Sequence, residues 1–211
     1  MDGRVLQERT LLLTHLRTYL EAPEHAHFLD DQLEGHQPGA RQAAVLLVLF
    51  EHEGELSLLF IRRASTLRAH SGEIAFPGGS AESQDASPVE TALREAWEEI
   101  GLAPERVEIL GAMPPVFTVV SNFLIVPVVG YLHQGPGELR LQESEVAELI
   151  VAPLRALADP AIQRVEYWTR GEKTRAVYFF DYGTYCIWGA TGRILAALLS
   201  ILDTHDAGSS F

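Results

Sequence analysis

Three glutamates that follow one arginine are the residues of this chain best suited to chemistry. Glu95 comes directly after Arg94, and Glu98 and Glu99 follow within the next turn. In a helix the three carboxylates fall within an arc of about 100°. Like charges at this spacing destabilise a helix by a few tenths of a kcal/mol per pair. A solvated acidic face is one interpretation. A site for a hard divalent cation is the other, because Mg²⁺ and Mn²⁺ prefer carboxylate oxygens.

The residues around these glutamates predict a helix from about Pro88 to Ile100. Ser87 and Glu90 fit a capping box, and proline suits the first helical position. Gly101 suits the left-handed residue that ends a helix. The side opposite the acids carries apolar residues and is expected to pack on the core: Val89, Leu93, Ala96, Trp97 and Ile100.

Taken with the glycine turn before it, this stretch resembles the Nudix box, GX5EX7REUXEEXGU. Gly79, Asp85 and the run 94–102 (REAWEEIGL) align with it. The middle acid is Asp85 rather than Glu, eight residues instead of seven separate it from Arg94, and Ala96 is smaller than the pattern's aliphatic residue. The REXXEEXG half matches fully.

The preceding segment, LFIRRASTLRAHSGEIAFPGG at 59–79, resembles a second signature. This is LLTXR[SA]X3RX3GX3FPGG, found in the coenzyme A pyrophosphatase branch of the Nudix family. Arg63, Arg68, Gly72 and the run 76–79 match in register, while the LLT portion departs. Together the two signatures cover residues 59–102.

The resemblance implies a Nudix-type α/β/α sandwich with a mixed sheet, and a site that uses Mg²⁺ or Mn²⁺. Glu95, Glu98 and Glu99 would hold the metal, with the Gly78 carbonyl as a further ligand. Gly79 would let the backbone approach the metal or phosphate closely.

Two roles follow for the remaining charged residues of the site. Arg94 is expected to orient the carboxylates rather than touch substrate, since it lies four residues before Glu98. The general base stays open between a glutamate of the box and a later acid, Glu143 or Glu145.

The resemblance also implies a substrate, coenzyme A or a derivative, cleaved to 3′,5′-ADP and 4′-phosphopantetheine. Arg62, Arg63 and Arg68 form a basic cluster in an acidic chain, and Arg63 and Arg68 are predicted to bind the extra 3′-phosphate. The alternatives are the same chemistry on ADP-ribose or another nucleoside diphosphate derivative, and a catalytically silent Nudix-fold module that only binds nucleotide.

Composition limits the remaining classes of function. Lys plus Arg number 16 against 29 Asp plus Glu, a net charge of −13, which disfavours nonspecific binding to nucleic acid or anionic membranes. No apolar run reaches membrane-span length and no signal-peptide pattern is present, so a cytoplasmic protein is expected. The single cysteine, Cys186, lies among apolar residues and is predicted to be buried. The pattern does not determine the oligomeric state.

Apolar periodicity predicts one domain over 1–211, with a helix and loop at 1–40, a core at 41–204 and a tail at 205–211. Helices are predicted at 4–21, 88–100, 154–158 and 191–202. Strands are predicted at 41–51, 55–63, 107–113, 123–132, 145–153, 165–170 and 174–181. Because strands and helices interleave without strict βαβ order, a mixed sheet with helices on both faces is expected.

Overall fold

The computed structural model describes residues 3–28, 39–65, 72–171 and 173–208. Four helices are present in this part of the chain: α1 (Gly3–Tyr19), α2 (Pro88–Ile100), α3 (Leu154–Leu157) and α4 (Gly189–Gly208). Short 3-10 helices lie at Pro23–His25, Pro104–Arg106 and Pro160–Ile162. None of the helices in the described ranges is both long enough and apolar enough to cross a membrane.

The strands form two sheets. The larger contains β1 (Arg41–His52), β2 (Glu55–Arg63), β3 (Ile74–Ala75), β4 (Gly78–Ser80), β5 (Glu108–Ala112), β6 (Val116–Thr118), β7 (Phe123–Leu132) and β8 (Val146–Pro153). The smaller contains β9 (Gln163–Arg170), β10 (Lys173–Tyr182) and β11 (Tyr185–Ile187). The pairs of the larger sheet are antiparallel except for β1 and β7, which run parallel, so the predicted mixed sheet is confirmed.

Helices cover both faces of the larger sheet, which confirms the α/β/α sandwich. On one face α2 packs its small and apolar residues on the alternating core of β1, β2 and β7, through Ala92, Ala96 and Ile100. The opposite face packs against α1, α3, α4 and the smaller sheet, through residues such as Leu16, Leu157, Phe180 and Leu195. Apolar burial on two faces is typical of a sheet sandwiched between layers.

Several predicted details are wrong. Trp97 is 55% exposed instead of packing with Ile100, and Cys186 is exposed rather than buried, because β11 is a short strand of the smaller sheet whose residues alternate between surface and core. The C-terminal helix runs to Gly208, past its predicted end at 202. Four short strands (β3, β4, β6 and β11) were not predicted at all, since two or three residues carry no measurable period.

Candidate active site

Glu99 is the most deeply buried acid of the site, and it faces the sheet. Its side chain is 2% exposed, and Oε2 accepts a hydrogen bond from the Gly78 N–H at 2.9 Å. Burial raises the pKa of Glu99 to about 8, partly offset by that hydrogen bond and by Arg63. The alternative interpretation, a solvated acidic face that includes Glu99, is therefore wrong for this residue.

The position of Glu99 follows from how α2 is built. Ser87 caps the helix by accepting a hydrogen bond from the Glu90 N–H, and Gly101 ends it with a φ of 67°. The Glu90 carboxylate does not close the box on Ser87 but accepts from the Ala86 N–H. With both ends fixed, Glu99 falls on the stripe that packs on β1 and β4, next to Ile100.

Glu95 lies directly over the glycine turn. A Cβ atom placed on Gly79 would come within 2.5 Å of the Glu95 carboxylate, so only glycine leaves room for the acid there. The Glu95 carboxyl group is partly buried, and burial raises its pKa despite the neighbouring Arg94.

Arg94 binds two of the three glutamates. Its Nη1 donates to Glu95 Oε1 at 2.9 Å and to Glu98 Oε2 at 3.1 Å, and its Nη2 donates to the Ser80 carbonyl at 2.9 Å. Glu98 is exposed. This geometry matches an orienting role for Arg94, which remains a prediction.

Asp85 holds Arg94 from the other side. Its carboxylate accepts from Arg94 Nε at 3.1 Å and Nη2 at 2.9 Å, and also from the Thr91 hydroxyl. The hydrogen bonds from Arg94 lower the pKa of Asp85 to about 2. The partnership of Asp85 with Arg94 was not predicted from the sequence. Its only signal there was the position of Asp85 at the middle acid of the box.

Arg62 and Arg63 do not share one cluster. Arg63 Nη1 lies 3.6 Å from Glu99 Oε1, and Arg63 Nε is buried without a hydrogen-bond partner among the residues that the structure describes. Arg62 points to the other face of β2, as alternation along a strand requires, where its Nε donates to Glu148 at 2.8 Å. Arg68 lies outside the described residues.

Glu145 is the later acid that lies near the buried pair. It is half-buried, and its charge contributes to raising the pKa of both Glu95 and Glu99. Its carbonyl accepts from the Ala64 N–H at 2.7 Å, which ties it to the end of β2. Glu143 is exposed, so proximity favours Glu145 of the two later acids.

The donor chemistry fits a hard divalent cation. Glu95 and Glu99 flank the Gly78–Gly79 backbone, and burial opposes the charge of both, which a bound cation would reverse. Within the described residues, no three His, Cys, Asp or Glu side chains are close enough to hold one ion together. In this structure the Glu98 carboxylate accepts a hydrogen bond from Arg94 at 3.1 Å.

Comparisons with known proteins identify the family of this chain. The family model for the NUDIX domain matches residues 40–170, a range that contains α2, the glycine turn and Arg63. The chain is a hydrolase of the class that cleaves phosphoric anhydrides. It belongs to the Nudix family.

Two bacterial relatives carry the name "Uncharacterized Nudix hydrolase NudL". That of Pectobacterium atrosepticum is 42% identical over 168 residues, 77% of this chain and 84% of the relative. That of Citrobacter koseri is 39% identical over 173 residues, 81% of this chain and 87% of the relative. Among solved structures, the MutT protein of Methanosarcina mazei Go1 aligns with a TM-score of 0.49 and 17% identity, over 85% of this chain and 100% of that one.

Proposed function

We propose that this chain is a Mg²⁺- or Mn²⁺-dependent pyrophosphatase that hydrolyses coenzyme A or its derivatives to 3′,5′-ADP and 4′-phosphopantetheine. The observation that carries the proposal is the contact of Arg63 with Glu99 at 3.6 Å. Arg63 belongs to the upstream signature and Glu99 to the helix, so the two segments of the coenzyme A pyrophosphatase resemblance meet at one buried carboxylate.

Each residue of the site has a proposed part in the reaction. Glu95, Glu98 and Glu99, with the Gly78 carbonyl, would hold the metal once the three carboxylates come closer together than they are in this structure. Gly79, which has no side chain, would let the backbone approach a phosphate oxygen. When bound, Mg²⁺ or Mn²⁺ neutralises phosphate oxygens and makes water more acidic. Glu145 takes the proton from the attacking water, and Arg94, held by Asp85, fixes the orientation of Glu95 and Glu98.

The arginines divide the work of binding an anionic substrate in an acidic protein. Arg63 lies at the glutamates, where a pyrophosphate would be cleaved, so we assign it to the pyrophosphate oxygens. Arg68 is assigned to the 3′-phosphate of coenzyme A, on the sequence pattern alone.

The test is a hydrolysis screen of coenzyme A, dephospho-coenzyme A, ADP-ribose and NADH with Mg²⁺ and with Mn²⁺. We expect coenzyme A to have the highest kcat/KM. Arg63→Ala should lower kcat/KM at least tenfold, about 1.4 kcal/mol, for both coenzyme A and its dephospho form. Arg68→Ala should affect only coenzyme A.

Other outcomes select the alternatives. A wild type that prefers ADP-ribose, or that treats coenzyme A and its dephospho form equally, contradicts the coenzyme A assignment and leaves the pyrophosphatase. Binding of these compounds without turnover under either metal would make the chain a silent nucleotide-binding module.

A further inference from the structure

A second cavity lies on the opposite face of the larger sheet from Glu95 and Glu99. It has a volume of about 510 Å³, and its wall includes Arg62, Glu73, Glu148, Tyr185, Cys186 and Trp188. This volume is within the roughly 300–1,000 Å³ typical of small-molecule sites. The residues that form it come from β2, from the start of β3 and the two residues before it, from β8, and from the stretch 184–188 around β11. None belongs to the metal-binding set proposed above.

The cavity is near the candidate active site because both use the same end of β2. Arg62 and Arg63 are consecutive, with Arg63 beside Glu99 and Arg62 in the cavity wall. On the neighbouring strand, β8, Glu148 pairs with Arg62, and Glu145 comes just before its first residue. A ligand that reaches around this end of the two strands would contact both places.

The charges of the cavity wall disfavour a phosphate group. The Arg62 guanidinium is already bonded to Glu148, with Nε to Oε2 at 2.8 Å, and the Tyr185 hydroxyl donates to the other oxygen of Glu148 at 2.6 Å. Glu73 adds a second carboxylate, so the charged groups of the wall sum to a net negative charge. An uncharged group that donates hydrogen bonds suits this wall better than an anion.

The aromatic side chains favour a flat ring. Trp188 is fixed by its neighbours: it stacks on Phe179 with an interplanar angle of 4° and a centroid distance of 6.0 Å, and it also contacts Trp168. Tyr185 is fixed by its bond to Glu148. Rigid aromatic rings are surfaces on which nucleobases stack.

We propose that this cavity binds the nucleobase of the substrate, an aromatic ring that carries an amino group, while the pyrophosphate lies at Glu95 and Glu99. The ring stacks on Trp188 or Tyr185, and the amino group donates to Glu148 or Glu73, as carboxylates accept from exocyclic amines of bases. The placement of the pyrophosphate at Glu95 and Glu99 rests on the proposed function. Binding of the base itself does not require hydrolysis.

Cys186 provides a direct test, since it lies in the wall and is the only cysteine in the chain. The wild-type protein is treated with a fluorescent maleimide, and the rate of Cys186 labelling is measured at about pH 9, above the ordinary thiol pKa of about 8.5. AMP is the probe, because it carries the base and has no pyrophosphate bond. Ribose 5-phosphate and inorganic pyrophosphate are the controls.

We expect AMP at about 10 mM, enough to fill a site of millimolar affinity, to slow labelling at least fivefold. The two controls should leave the rate unchanged. Trp188→Leu should remove the protection, whereas Tyr167→Ala should keep it, since Tyr167 is an exposed aromatic residue of β9 outside the cavity. Absence of protection by AMP in the wild type, or equal protection by ribose 5-phosphate, overturns the proposal even if the variants fail to fold.

Turnover separates this proposal from the proposed function. After maleimide labelling, KM for the adenosine-containing substrate found in the screen should rise at least tenfold, with kcat within about twofold of the unlabelled protein. The same treatment of Cys186→Ser should change neither constant. AMP protection without hydrolysis of any screened compound would support the base site and contradict the pyrophosphatase. Hydrolysis with unchanged KM after labelling would contradict the base site alone.

Discussion

The buried carboxyl group of Glu99 explains much of the electrostatics of this site. A carboxylate placed against a sheet loses its water. The hydrogen bond from the Gly78 N–H and the Arg63 guanidinium at 3.6 Å together replace only part of that solvation. The pKa of Glu99 is therefore raised to about 8. Any cation that binds beside it must displace that proton, so metal affinity should increase with pH across this range.

The same pKa predicts how the stability of the metal-free protein changes with pH. An unfolded glutamate has a pKa near 4.5, so between that pH and about 8 the folded state binds more protons than the unfolded state. Stability must then fall as pH rises through this window, by at most about 5 kcal/mol for the whole shift. Urea unfolding in EDTA at several pH values measures it. Glu99→Gln should flatten the slope, while an unchanged slope in that variant would mean that another group is responsible.

Asp85 and Glu99 should differ in what they contribute to activity. Glu99→Gln is expected to lower kcat by several orders of magnitude, since it removes a charge at the proposed metal. Asp85→Asn should lower kcat by about tenfold, 1.4 kcal/mol, because Arg94 keeps its bonds to Glu95, Glu98 and the Ser80 carbonyl.

Steady-state kinetics of both variants measure the difference. Glu82→Gln is the control for Asp85: it is 56% exposed and lies 3.9 Å from Arg94, so little change is expected. Equal losses for Asp85→Asn and Glu99→Gln would place Asp85 at the metal.

At the scale of elements, the two glycines of β4, the short strand that pairs with β1, have different roles in folding and in function. Gly78 has a φ of 155°, and a Cβ there would collide with the backbone of Ala44 and Val45. The three atoms nearest to a Cβ on Gly79 all belong to the end of the Glu95 side chain, which can move. Gly78→Ala should therefore destabilise the fold by several kcal/mol, and Gly79→Ala should lower activity with a small change in stability.

Thermal unfolding and kinetics of the two variants measure this contrast. Gly135→Ala serves as the control for positive φ, since its added Cβ has no close neighbour. If Gly79→Ala lost as much stability as Gly78→Ala, the Glu95 carboxylate would be held more rigidly than its contacts indicate.

The sequence predicts elements better than it predicts which side chains are buried. The bounds of α2 match because its caps are local: Ser87, Pro88 and Gly101 act within one turn. Trp97 and Glu99 exchange their expected places because the face that packs is selected by β1 and β4, which are distant in sequence. Arg62 and Arg63 lie apart for the same reason: what each side chain contacts depends on the elements that cover the two faces of the sheet. The cavity beside Arg62 has no sequence signal, because its wall comes from four separate segments of the chain.

At the scale of the whole molecule, metal binding should increase the stability of the folded protein. If Mn²⁺ binds the folded site and not the unfolded chain, then a concentration of 100 times its Kd raises the free energy of unfolding by about 2.7 kcal/mol. We expect a concentration-dependent rise in the Tm of the wild type, and none in Glu99→Gln.

Glu105→Gln is the control for this measurement, because Glu105 is an exposed acid beyond the end of α2. It should respond to Mn²⁺ like the wild type. A Tm of the wild type that is insensitive to Mn²⁺ would contradict the metal site.

The parallel pairing of β1 with β7 sets the order in which this chain can acquire its site. Residues 41–50 of β1 each pair with a partner about 80 residues later. This is a long loop to close, and such distant pairings slow folding. During synthesis, α2 emerges before β7 and lacks part of the surface on which it packs. The glutamates are thus assembled late, only after the ribosome has made residues up to 132, and a nascent chain shorter than that is expected to be inert.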